Sequence, residues 1–144
     1  MMVLVMLSRR REPNMSDLLK EFSTIEGFGG VGVFTPSGES IIKLEAANSP
    51  LKLKELGPVA NSVMIQAQKA ALEMDLGASH FIHLQTEKAH ILVRCLNEGS
   101  DLVKTQPGKS HIHLVLILKN DSGIGLAKLK IESHILKLAE AFRV

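Results

Sequence analysis

The chain has 144 residues, 45% hydrophobic and 22% charged, with a formal net charge of +2. That length fits one domain, and the balance is that of a chain that buries a core, which excludes an intrinsically disordered segment. Five Phe, no Trp and no Tyr leave few rings for stacking on bases or sugars, and the lysines are scattered rather than striped, so no nucleic acid is expected as a partner.

The chain opens on an apolar run, Met1 to Leu7, far shorter than the ~20 residues that span a bilayer. Arg9, Arg10 and Arg11 follow that run, whereas a secretory signal places its charges first. Residues 1–14 are therefore expected to be an extension that packs on the domain or on a partner, without membrane insertion, ahead of a domain over 15–144. A surface amphipathic anchor built on the three arginines is the alternative.

From Ser16 to Glu26, Leu18, Phe22 and Ile25 share one helical stripe, with Ser16 as N-cap and Gly27 as the stop. Val31, Val33 and Phe34 then read as a strand, turned by Pro36-Ser37-Gly38 into Ile41, Ile42 and Leu44, which makes a β-hairpin. The longest helix runs from about Lys54 to Leu76, with Pro58 tolerated near its start and Gly77 ending it. Its apolar residues form two stripes. The main one holds Leu56, Ala60, Val63, Ala67, Ala70 and Met74, and a thinner one opposite holds Ile65, Leu72 and Leu76. A surface helix needs one apolar face, so two imply a sheet on one side and something else on the other.

His80 to Thr86 and Ala89 to Leu96 read as strands joined by a tight turn at Glu87-Lys88. A polar loop over 97–110 leads to a strand from His111 to Lys119, whose unbroken LVLIL run belongs at the centre of a sheet covered on both faces. A final amphipathic helix spaces Ile124, Ala127, Ile131, Ile135, Leu138 and Phe142 by three and four. The order α-β-β-α-β-β-β-α predicts an α/β sandwich. Its five-stranded antiparallel sheet carries the long helix on one face and the N- and C-terminal helices on the other.

Catalytic chemistry is not expected. Gly27, Gly29 and Gly32 match the dinucleotide spacing G-x-G-x-x-G, but they follow a helix and enter a strand, the reverse of what the pyrophosphate requires. Pro107-Gly108-Lys109-Ser110 has the tail of a P-loop, but Val103 stands where its first glycine belongs and a strand follows instead of a helix. The lone Cys95 sits in an apolar run and reads as inert packing in a reducing cytoplasm. His80, His83, His90, His111 and His113 cluster on the late strands. His80 and His83, three apart, face opposite sides, so the group reads as rim histidines; no metal and no cofactor is expected. No paired carboxylates mark an apolar cleft, and no Ser or Cys has a nucleophile's setting.

The hairpin VGVFTPSGESI, the helix segment VANSVMIQAQKAALEM, the strands around Glu87-Lys88 and the closing stretch LVLILKNDSGIGLAKLKIESHILKLAEAF together resemble the Roadblock (dynein light chain) family. The likeness is greatest to the bacterial MglB-like regulators of Ras-like GTPases. The resemblance runs from Met15 onward and implies a homodimer, in which the strand over 79–86 pairs with its own copy and the long helices pack side by side. The expected interface is therefore His80, Phe81, Ile82, His83 and Leu84 on the edge strand, with Val63, Ala67, Ala70, Met74, Ile65 and Leu72 on the helix. An edge strand with little protective charge also asks for such a cover on physical grounds.

The resemblance further implies a cytoplasmic, non-enzymatic regulator or scaffold for a Ras-like small GTPase. Two rival readings are an assembly adaptor without effect on GTP hydrolysis and a ligand sensor of the PAS or GAF type. Arg94 lies within a strand and the loop over 97–110 offers only lysines, so no arginine finger is expected from the domain.

Overall fold

The computed structural model describes residues 15–96 and 111–141. Its elements are α1 (Met15–Ser23), β1 (Phe28–Phe34), β2 (Ser40–Glu45), α2 (Leu53–Glu73), β3 (Phe81–Gln85), β4 (His90–Cys95), β5 (His113–Leu118) and α3 (Ile124–Ala141). The strands form one antiparallel sheet in the order β2-β1-β5-β4-β3. The element order and the all-antiparallel sheet are those read from the sequence.

β5 lies at the centre of the sheet and every one of its residues is buried. Successive side chains point to opposite faces, so β5 feeds two cores. Leu114, Leu116 and Leu118 join Leu19, Phe22, Ile131 and Leu138 beneath α1 and α3. Val115 and Ile117 join Leu53, Ala60 and Met64 beneath α2. Each fully buried side chain of this size contributes roughly 1.5–3 kcal/mol. Ile124 and Ile135 pack on the first core as expected, while Phe142 falls outside the described residues.

Three details differ from the sequence reading. α1 spans Met15–Ser23, so Ser16 lies inside the helix and the segment from Thr24 to Glu26 turns out of it. α2 ends at Glu73 instead of near Leu76, because Asp75 adopts the left-handed conformation at φ 59°. Leu76 N then donates to Ala71 O at 2.9 Å and Asp75 N to Leu72 O at 3.1 Å, the paired bonds of a Schellman stop.

The third difference concerns the face that α2 turns to the sheet. It is centred between the two predicted stripes, taking Ala60 from one and Ile65 from the other, and comprises Leu53, Gly57, Ala60, Asn61, Met64, Ile65 and Gln68. Two amides sit in this buried row because the sheet beneath presents histidines to receive them. Gly57 fits because its missing side chain leaves room for the Phe34 ring.

Candidate interaction surface and a buried polar cluster

Part of the main apolar stripe of α2 points away from the sheet, while its Ala60 is buried and its Leu56 half-buried against the core. Val63 is 37% exposed and Met74 61%, with Val59 and Ala70 exposed beside them, and Leu72 of the thinner stripe is 50% exposed. Ala67 is half-buried, and Ile65 is packed inside the chain at 9% exposure. Beside this helix runs β3, the outer strand of the sheet, with no strand beyond it among the described residues. His80, Phe81, Ile82, His83 and Leu84 are all half-buried there. The opposite edge, β2, carries Lys43 and Glu45 in an ion pair at 3.6 Å. β3 reads FIHLQ, without a formal charge. Charge on an edge discourages strand addition, so β3 is the unguarded edge.

A groove lined by His80, Phe81, Arg94, Lys128 and Glu132 flanks β3 on its α3 side. Lys128 Nζ lies 5.9 Å from the centre of the Phe81 ring, within cation–π reach. Arg94 is buried in β4 and fixed from several directions. Its Nε donates to Glu132 Oε2 at 2.7 Å, one terminal nitrogen donates to Glu132 Oε1 at 3.3 Å, and the other donates to Cys95 O at 2.9 Å. Arg94 is the one arginine among the described residues. Held this way, it braces β4 to α3 and does not project from the surface.

His83 and His90 meet across the hairpin, with His83 Nε2 3.0 Å from His90 Nδ1. The His83 imidazole is pushed below its ordinary pKa by burial first, then by Lys128 and His90, which favours a neutral ring.

On the α2 side of the sheet lies a cluster that sequence reading did not assemble. Cys95 ends β4, His113 begins β5, and the two are Cα partners in the strand register. His111, two residues earlier, has its Nδ1 3.2 Å from Cys95 Sγ. All three are buried, and each offers a ligand-type atom within 4.8 Å of the others. Gln68 Nε2 lies 3.2 Å from the same His111 nitrogen and donates to Ser79 O at 3.3 Å.

Asn61 settles the tautomer of His113. Its Nδ2 donates to Thr35 O at 2.9 Å, so its Oδ1 accepts from His113 Nδ1 at 2.8 Å. The proton therefore sits on Nδ1, and His113 Nε2 is left as a bare acceptor, buried without a hydrogen-bond partner. Gln68 Oε1 is orphaned in the same way. An unsatisfied buried polar group costs about 1–3 kcal/mol. Burial, reinforced by His111, lowers the His113 pKa to about 3. The signal that could have found this cluster was the single alternation H-I-H before a buried strand, opposite a cysteine ending its neighbour. α3 adds exposed leucines that went unnoticed in the sequence, Leu126, Leu129 and Leu136.

Among the described residues no helix is long and apolar enough to cross a membrane. No family model matches the chain, and no curated protein does. Solved structures do. The gliding protein MglB of Thermus thermophilus aligns with a TM-score of 0.69 at 19% identity, over 88% of this chain and 86% of its own. MglB of Myxococcus xanthus gives 0.67 at 14% identity, over 88% and 85%. A Roadblock/LC7 domain of Streptomyces avermitilis gives 0.70 at 7% identity, over 92% and 100%. The dinucleotide-like glycines stand as read, since Gly27 follows α1 while Gly29 and Gly32 lie within β1; the P-loop-like tail at 107–110 falls outside the described residues. The chain has the Roadblock fold, the fold it shares with MglB.

Proposed function

We propose that this chain is a non-enzymatic, cytoplasmic protein-binding module that works as a homodimer and docks a Ras-like small GTPase. The observation that supports it most is the presence on one chain of an uncharged edge strand, β3, and an outward stripe of α2 bearing Val63, Ala70 and Met74. An exposed edge and an apolar helix face are the surfaces that a second identical copy could cover, strand against strand and helix against helix. The GTPase as partner rests on the resemblance of the sequence to the MglB-like branch of the family.

The fixed state of Arg94 supports a particular mode of action. An arginine finger must reach the transferring phosphate, whereas Arg94 is engaged by Glu132 and by backbone carbonyls. Any effect on hydrolysis would come from holding the partner's own catalytic groups in place.

Two measurements test the reading. Light scattering at micromolar concentration is expected to give twice the chain mass; a monomer would remove the two-fold platform. Phosphate release by the cognate GTPase is expected to change when the protein is added and to survive alanine substitution of each arginine singly. A ~10³-fold loss at one arginine would restore the finger. Binding without any change in release would favour the adaptor reading.

A further inference from the structure

We propose that Cys95, His111 and His113 form a binding site for a borderline-soft divalent cation of the Zn2+ class, enclosed between the β4–β5 end of the sheet and α2. Cys95 and His113 are cross-strand partners, and His111 shares their face two residues before His113. One thiol and two imidazoles are the donor set that such a cation selects, while the hard cations Mg2+ and Ca2+ would ask for carboxylates. Their ligand atoms already lie within 4.8 Å of one another, and Sγ and His111 Nδ1 are 3.2 Å apart. A tetrahedral ion with bonds of about 2.0–2.3 Å holds its donors roughly 3.3–3.8 Å apart. Closing the site therefore takes side-chain movements of about 1 Å.

The surroundings of His113 point the same way. A ligating histidine usually gives its other N–H to a carbonyl, which fixes the ring and leaves the ligand nitrogen free. Here Nδ1 is held by the Asn61 carbonyl oxygen at 2.8 Å, and Nε2 is buried with no partner. Gln68 supplies a second orphan, since its amide touches His111 while its Oε1 is buried and unmatched. Two partnerless acceptors beside a thiol are what a cation would satisfy, with Gln68 Oε1 as the candidate fourth donor. On binding, the Cys95 thiol loses its proton to solvent and the sulfur and nitrogen lone pairs take the ion, without any redox change.

The test uses the full chain, stripped by chelation and titrated with Co2+ and then Zn2+. Binding of one Co2+ per chain with a near-ultraviolet thiolate charge-transfer band, displaced by Zn2+, is expected. Cys95 is the chain's one cysteine, so that band in the unmodified protein identifies the ligand even if no variant folds. Zn2+ at a hundredfold excess over its Kd is expected to raise Tm by about 5–10 °C. Cys95→Ser is expected to abolish the band. Asn61→Ala, which keeps every ligand, is expected to weaken affinity roughly 10–100-fold. His83→Gln combined with His90→Gln is expected to leave both readouts unchanged. Absence of the band in the unmodified protein overturns the proposal. So does a Zn2+ effect that persists in Cys95→Ser and vanishes in the His83/His90 variant, which would place the ion at the sheet rim.

Discussion

His113 shows how one side chain couples burial to acid sensitivity. Its ring is fully buried beside His111 and its pKa falls from 6.5 to about 3, burial being the larger cause. The unfolded chain takes up a proton near pH 6.5 while the folded chain stays neutral. The stabilisation is thus fully present above pH 6.5 and is lost as the pH falls towards 3. The loss is on the order of 5 kcal/mol for a shift of this size. Chelator-treated protein, unfolded in urea at a series of pH values, is expected to weaken across that window. His113→Gln, which keeps a donor for Asn61 but does not titrate, is expected to flatten the curve. An unchanged slope in the variant would assign the acid sensitivity elsewhere. Strand alternation puts His111 and His113, two residues apart, on one face, and that much is legible in the sequence. It did not show that amides from a helix some fifty residues upstream would meet them, because polar residues inside an amphipathic pattern ordinarily read as solvent-facing.

Among the elements, α2 docks through a mixed row in which small and polar residues outnumber large apolar ones. Gly57 rests against the Phe34 ring, and a methyl group there would overlap it. Gly57→Ala would gain helix propensity, by up to about 1 kcal/mol, yet the overpacking it forces costs typically 1–3 kcal/mol. Net destabilisation is expected, read as a lower urea midpoint, and a rise in midpoint would show that α2 can lift off Phe34 freely. β5 was legible because an unbroken apolar run allows only a strand covered on both sides. The buried set of Leu18, Phe22 and Ile25 was legible because one face alone was apolar, although Ile25 lies in the turn after α1. The orientation of α2 was not. Its two apolar stripes each give one residue, Ala60 and Ile65, to the sheet-facing row and otherwise flank it, and periodicity cannot tell which arc meets a sheet when both neighbouring arcs are apolar.

Taken as one body, the protein presents an uncharged sheet edge and an apolar helix face. Val63 and Met74 are exposed in the single chain, so charging them removes little of its own packing. Val63→Glu combined with Met74→Glu is expected to halve the mass at micromolar concentration while the far-ultraviolet dichroism stays the same. A dimer that survives both charges would move the self-association to another surface, the exposed leucines of α3 being the next candidates. The element order, the central place of β5 and the two-layer cover were all readable from the residues alone, because each follows from local periodicity and from turn residues acting on their near neighbours. Three things came only with the folded chain: which arc of α2 faces solvent, the engagement of Arg94 by Glu132, and the meeting of Cys95 with His111 and His113. Those depend on strand register and on helix rotation about its axis, which are set by contacts between residues far apart in the chain.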